Sequence, residues 1–418
     1  MAEVRGFPGI RFQLERPEQA GEVIAPPYDV ISPAQHEALL EQHPHNVVRL
    51  ELPKSSEGDT EQENRYTRAA RLFREWREQG VLAQDPEPSL YVYGQRYDTP
   101  EGPRERLGLM VALKVEPFES GVVLPHEQTF PKHKEDRYRL LSTAQAQFSP
   151  IFGLYSAPEA GVRARLEERI SGEPVAIATD PEGVEHRLWR VAAPEFTQWA
   201  AEVFAGKQVY IADGHHRYET ALRYRNERRA AAPESEPQPF DYVMTFLVEM
   251  EDPGLVLLPT HRLVRGSLPD AAALRQSLEE YFTIEPATVE NVDDLRHHQL
   301  GLLLPGGEAL RLTLKDPAVM ARLDQEHSDA WRDLDVAVLH RLVFQEVLNL
   351  GEGTEVVYTR DPAEAREAVV SGGFAASFLL PYPKVEELKA VAGAGDRMPE
   401  KSTYFWPKAI TGLVIYPQ

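Results

Sequence analysis

The residues best suited to chemistry lie together at Asp213-Gly214-His215-His216-Arg217, after the apolar run Val209-Tyr210-Ile211-Ala212 and before Tyr218-Glu219. The pattern reads as a short strand, a glycine turn and the first turn of a helix. Such a turn aims backbone N–H groups and a positive dipole end at whatever lies in front of it. Anions bind there, and the Arg217 guanidinium offers a fork matched to phosphate oxygens. His215 and His216 can donate, accept or titrate. Asp213 and Gly214 would also serve as a plain helix cap. Two histidines at a helix start oppose the dipole, however, which favours function over capping. A carboxylate in a phosphate cradle is repelled unless a divalent cation bridges the two or the carboxylate handles a proton. Asp213 is therefore a candidate Mg²⁺ ligand as well as a candidate catalyst.

Three further groups of residues carry reactive chemistry. His126-Glu127 precedes Lys132-His133-Lys134, but Pro131 interrupts the segment and the histidine spacing is wrong for a zinc-protease helix. A loop bringing Lys132, His133 and Lys134 to an anionic ligand is the functional reading, with His126 and Glu127 as substrate contacts; a solvated basic loop is the alternative. Met398-Pro399-Glu400-Lys401-Ser402-Thr403 ends like a phosphate loop yet lacks the glycine before the lysine. Lys401 and Ser402 remain candidate phosphate contacts, against a simple surface turn. Either Asp29 or Glu51 could be a general base, with Asp29 also a candidate substrate contact, against the plain reading of a carboxylate at a strand end or after a Pro pair.

Bulk composition narrows the chemistry. The chain has 418 residues, a formal net charge of −21 and no cysteine. Thiolate catalysis, disulfides and cysteine-ligated zinc are excluded. The acidic balance argues against nucleic acid as the main partner, while leaving room for a small phosphorylated ligand. No apolar run approaches a membrane span, and Met1-Ala2-Glu3-Val4-Arg5 lacks a secretory apolar stretch, so a cytoplasmic location with no membrane partner is expected.

The elements that must position these residues read as α/β to α+β, with mixed sheets and flanking helices. Ser32-Pro33 opens a helix over 33–42, and Asn46 to Leu52 alternates like a strand. Residues 65–79 form a helix whose Ala69, Leu72, Phe73 and Trp76 face the core, with Gly80 ending it. Leu90 to Tyr97 and Leu107 to Glu116 pair as a hairpin. A helix over 134–147 leads to a strand at 150–155, and the helix after Arg217 ends near 230. A solvated loop at 232–239, strands at 240–250 and 254–259, and a helix opened by Asp361-Pro362 with Glu364 in a capping box follow. Three regions are expected: 1–120 as α+β, 121–235 as α/β carrying the turn, and 236–418 as α/β.

These segments together resemble a widespread family of unknown function, domain-of-unknown-function family 1015. The matching stretches are Ala25 to Val30, Asn46 to Glu51, His126 to Arg137, Asp213 to Glu219 and Met398 to Phe405. More distantly, Asp213-Gly214-His215-His216-Arg217 resembles the phosphate-binding turn of the ParB/sulfiredoxin superfamily. That superfamily includes partitioning nucleotidases, sulfiredoxins and free serine kinases. Sulfiredoxin chemistry needs a cysteine at this turn, and partitioning proteins bind DNA. The free serine kinases are left as the nearest functional analogue, with Asp213, Gly214, His215 and Arg217 the positions onto which roles transfer. The resemblance implies a Mg²⁺-dependent phosphotransferase that uses ADP or ATP on a small hydroxylated metabolite. The alternatives are a phosphate-ester or nucleotide hydrolase and a non-catalytic nucleotide sensor.

Overall fold

The computed structural model describes residues 1–127, 129, 131–232, 236–266, 268–350 and 354–418. Residues 233–235 of the loop expected at 232–239 lie outside these, as do Gln128 and Phe130 of the His126 segment. The chain forms two compact units. The first comprises Met1–Pro125, Thr129–Leu255 and Pro407–Gln418; the second comprises His126–Gln128 and Val256–Trp406. Among the described residues no helix is long and apolar enough to cross a membrane.

The first unit is built on a mixed nine-stranded sheet. Its strands are β1 (Val4–Arg5), β2 (Leu90–Thr99), β3 (Gly102–Lys114), β4 (Val123–Leu124), β5 (Ile151–Tyr155), β6 (Ala176–Thr179), β7 (Glu185–Val191), β8 (Val209–Asp213) and β9 (Tyr242–Glu249). The order across the sheet is β4-β8-β5-β9-β3-β2-β7-β6, with β1 paired to the end of β3. The β8–β4 and β9–β5 pairs are parallel and the others antiparallel. The expected hairpin is present as β2–β3, in register from Tyr91↔Met110 to Thr99↔Gly102.

Helices α1 (Pro33–Gln42), α2 (Val48–Glu51), α3 (Arg65–Glu78), α4 (Pro131–Ala144) and α5 (His215–Ala231) complete the part of this unit that matters for the site. Ser32 caps α1 by accepting from the Gln35 N–H at 3.2 Å. In α3, Ala69, Phe73 and Trp76 are buried and Leu72 packs beside them, as the periodicity requires. They share a core with Val47, Leu50, Leu140 and Phe148. Tyr218 anchors the start of α5: its buried ring packs into the sheet core, worth roughly 1.5–3 kcal/mol, and its hydroxyl donates to the Glu116 carbonyl at 2.7 Å.

The strand expected at Asn46 to Leu52 is instead a helical turn, α2. Asn46 is fully buried and decides the matter. Its side-chain amide donates to the Glu22 and Ile24 carbonyls at 3.0 and 2.8 Å, while its carbonyl oxygen accepts from the Val48 N–H at 3.0 Å. That local bonding competes successfully with a strand ladder.

The second unit holds a six-stranded, wholly antiparallel sheet. Its strands are β10 (His261–Arg265), β11 (Phe282–Ala287), β12 (Gln299–Leu304), β13 (Glu308–Leu314), β14 (Glu355–Thr359) and β15 (Ala376–Leu379), in the order β11-β13-β12-β15-β10-β14. Leu263, Val292, Leu303, Ala365 and Leu379 form its core. Asp361 caps α6 (Pro362–Val370) by accepting from the Ala363 N–H at 2.8 Å. Glu364 does not close the expected capping box, because its carboxylate accepts from the Thr359 hydroxyl.

Candidate functional site

Strand β8 ends at Asp213, and α5 begins two residues later. The joint is Gly214, with φ of 94° in the left-handed region. A Cβ there would also meet the Arg217 guanidinium at 2.9–3.1 Å. The backbone conformation is what calls for glycine here, and a side chain would in addition push the Arg217 guanidinium aside. Asp213 is not the cap: Gly214 holds the cap position, and the aspartate turns to side-chain cations.

Arg217, one turn into α5, donates from Nη2 to Asp213 Oδ2 at 2.6 Å and from Nη1 to the Pro150 carbonyl. Lys408 bonds the other oxygen, Asp213 Oδ1. Burial works to raise the Asp213 carboxyl, but Lys408 and Arg217 outweigh it and hold the acid well below the usual carboxylate range. Asp213 is therefore an anion shared by two cations. Both Asp213 oxygens carry a positive partner, so the Mg²⁺ expected there would have to share the carboxylate with Lys408 and Arg217 or displace one of them. Arg217 Nε is buried and has no hydrogen-bond partner among the described residues.

Glu51 ends α2 as a fully buried carboxyl. It accepts from the Ser149 hydroxyl at 2.9 Å and from Arg137 Nη1 at 3.2 Å. Burial pushes the acid up, against the pull of Arg137, Arg217 and Ser149. Arg137 also donates to the Glu51 carbonyl at 2.9 Å and grips Asp136 Oδ2 from Nε and Nη2 at 2.9 and 2.6 Å. Its guanidinium lies 4.1 Å over the Tyr28 ring. Glu51, Arg137, Ser149, Arg217 and Thr220 line one cavity of about 40 Å³. A base with a raised pKa thus shares a cavity with the arginine of the glycine turn.

The two histidines of the turn differ in character. His216 meets His133 edge to face with ring centroids 5.4 Å apart. Burial and the nearby His133 lower its pKa to about 4, so at neutral pH it is an uncharged imidazole. His215 is buried beside the turn and adds, after Lys408 and Arg217, to the electrostatic pull that lowers the Asp213 pKa. Glu219 ties α5 to α4, accepting from Lys134 Nζ at 2.8 Å and from the Thr129 hydroxyl at 2.9 Å.

Of the residues singled out from the sequence, Asp213, Gly214, His215, His216 and Arg217 form the turn, and Glu51 joins them at the cavity. Asp29 is exposed beside Tyr28, and its charge acts on His216. Lys132 is exposed at the start of α4. His126, Glu127, Lys401 and Ser402 belong to the second unit. There His126 Nε2 pairs with the Thr403 hydroxyl at 2.8 Å, and the His126 carbonyl accepts from the Met398 N–H at 2.7 Å. The Glu127 carbonyl accepts from Arg397 at 3.3 Å. Lys401 occupies a left-handed turn at φ 55°, and the Ser402 hydroxyl closes that turn onto the Pro399 carbonyl.

Sequence reasoning gave no role to Lys408, Arg137, Ser149 or Tyr28. Arg137 lies inside the quoted His126 to Arg137 stretch, which was the available signal. Lys408 comes from nearly 200 residues beyond Asp213, and no local pattern marks it.

The fold and site define an α/β protein with a strand–glycine–helix turn beside a buried carboxyl. The chain belongs to the family described as Protein of unknown function (DUF1015), whose pattern matches residues 4–337. No curated protein matches it by sequence. Among solved structures it is similar to a free serine kinase in complex with AMP, at 12% identity and a TM-score of 0.37, covering 71% of this chain and 86% of that one. It is also similar to a conserved hypothetical protein from Pyrococcus furiosus, at 13% identity and a TM-score of 0.36, covering 72% and 92%. A third is SbnI with a C-terminal truncation from Staphylococcus aureus, at 11% identity and a TM-score of 0.35, covering 72% and 84%.

Proposed function

We propose that the first unit is a phosphotransferase acting on a small hydroxylated metabolite, with ATP or ADP as phosphoryl donor. The observation that carries this reading is the sharing of one cavity by Glu51 and Arg217. Phosphoryl transfer needs positioning and charge neutralisation more than covalent catalysis. Gly214 lets the chain turn so that the first N–H groups of α5 face a phosphate, and Arg217 and Lys408 supply positive charge. Arg217 Nε, buried and without a hydrogen-bond partner among the described residues, is one donor available to an added acceptor.

Glu51 takes the proton of the substrate hydroxyl as its oxygen bonds to phosphorus. The bridging P–O bond of the donor breaks, and the nucleotide leaves with that electron pair. The raised pKa of Glu51 matches a general base better than an ordinary exposed carboxylate would. His216, uncharged at neutral pH, serves as a hydrogen-bonding contact. Mg²⁺ enters this reading as the usual companion of nucleotide phosphates, and at Asp213 it would compete with Lys408 and Arg217 for the carboxylate. When bound it would neutralise phosphate charge.

The test is incubation of the protein with ATP or ADP, Mg²⁺ and a pool of small hydroxy compounds, followed by ³¹P NMR. A new phosphomonoester supports the transferase. Inorganic phosphate as the only product would move the assignment to a hydrolase, and nucleotide binding without turnover would move it to a sensor. Arg217→Ala should weaken nucleotide binding by about 2 kcal/mol, the value of a charge-assisted contact.

A further inference from the structure

The second unit carries a separate cluster of ligating side chains. His297 and His298 stand immediately before β12, and Asp333 follows the short helix Asp329–Arg332. His297 Nε2 is 3.2 Å from Asp333 Oδ2, and His298 Nε2 is 3.1 Å from Asp333 Oδ1. The donor atoms of the three side chains all lie within 4.8 Å of one another.

Adjacent residues of an extended chain point to opposite faces, so neighbouring histidines do not ordinarily share a partner. Here His298 has φ of 63°, in the left-handed region, and the two rings lie 3.8 Å apart with a 30° tilt. A histidine in that conformation is strained. The strain is held by bonds on either side: the His298 N–H donates to Asp335 Oδ1 at 2.7 Å, and the His298 carbonyl accepts from the Leu314 N–H at 3.0 Å. The fold therefore fixes a backbone that puts both imidazoles on one carboxylate.

We propose that His297, His298 and Asp333 bind a divalent transition-metal ion, with zinc the expected occupant. Two imidazole nitrogens and a carboxylate oxygen form a donor set suited to zinc. Tetrahedral bonds of about 2.0–2.1 Å place neighbouring donors roughly 3.3–3.4 Å apart, close to the two N···O separations seen here. Asp335 acts as a positioning residue. Its Oδ2 lies 3.1 Å from His297 Nδ1, placed to accept a hydrogen bond from Nδ1–H in the tautomer that leaves Nε2 to face the ion. His297 and Asp333 are exposed, which leaves a fourth position open to water or a further ligand.

The experiment uses the full chain, stripped with chelator, desalted and titrated with zinc chloride alone in a calorimeter. One zinc per chain is expected. Asp333→Asn and His297→Gln, both exposed changes, should remove that equivalent. Asp335→Asn should weaken it about 10- to 100-fold, the usual effect of losing an outer carboxylate. With Co²⁺ as a spectroscopic substitute, visible absorption should appear in the parent chain and be lost in Asp333→Asn. Failure of the parent chain to take up zinc would overturn the site. So would an unchanged equivalent in both Asp333→Asn and His297→Gln, which would leave the cluster as hydrogen-bonded ion pairs. The transferase reading of the first unit does not depend on either result.

Discussion

Glu51 and Arg217 line one cavity and are fastened by consecutive residues. The Ser149 hydroxyl donates to the Glu51 carboxyl at 2.9 Å, and the Pro150 carbonyl accepts from Arg217. The Ser149-Pro150 peptide, immediately before β5, therefore sets the spacing between the base and the arginine. A shift of the chain there would move both groups.

This coupling makes Glu51→Gln informative. The amide keeps the shape and can still bond Ser149, but it cannot take a proton. Turnover should fall about 10²- to 10⁴-fold, the usual contribution of a general base, while nucleotide affinity changes little. Because burial raises the Glu51 acid, the wild-type rate should decline with acidification from above the ordinary glutamate value of about 4.3. A pH–rate profile and calorimetry on the variant measure both effects. Parental turnover in Glu51→Gln would remove it as the base.

Gly214→Ala tests the turn itself. The residue keeps φ of 94°, which costs an L-residue about 1–2 kcal/mol, and its Cβ collides with the Arg217 guanidinium. Urea unfolding should show a loss of at least that size, with phosphate affinity reduced because Arg217 is displaced. Unchanged stability would mean that the turn relaxes freely and does not pre-position Arg217.

How much of this was legible depended on whether the deciding contacts were local. Helix α3 was readable because Ala69, Phe73 and Trp76 recur at helical spacing, and the β2–β3 hairpin because its turn separates two apolar runs. The turn at Asp213 was readable because strand, glycine and helix follow one another directly. The fold at Asn46 was not, because its buried amide bonds Glu22 and Ile24, more than twenty residues away. Nor could local pattern show that Lys408 would neutralise Asp213, or that Pro407–Gln418 belongs to the first unit. His297 and His298 are ordinary in sequence. Only the left-handed backbone at His298 and the return of Asp333 turn them into a cluster.

Asp213→Asn separates two roles of that side chain. Its folded pKa is depressed, so its stabilising contribution is present above the unfolded value of about 3.9 and is lost as pH falls through the folded one. The variant lacks that contribution at neutral pH and leaves Arg217 and Lys408 without their shared anion. A loss of about 3 kcal/mol or more is expected, as when one partner of a buried pair is removed. The two released cations should at the same time bind inorganic phosphate more tightly. Thermal melts across pH and phosphate titration check both signs, and weaker phosphate binding would show that Asp213 supports the anion site.

His216 gives a pH window that can be assigned to one residue by difference. Its folded pKa of about 4 lies below the unfolded value of about 6.5. Between those values the unfolded chain binds more protons than the folded one, so stability falls as pH drops from 6.5 toward 4. His261, at about 4, and His340, at about 3, contribute to the same slope from the second unit. His216→Asn should therefore flatten the decline without abolishing it, while ring-proton NMR of the parent chain locates the His216 titration directly. Since His216 is already neutral above pH 6, phosphate affinity should show no His216-dependent change between pH 6 and 8. A titration near 6.5, or a slope unaltered by His216→Asn, would mean that solvent and a counter-ion reach the ring, and the neutral-contact role would fall with it.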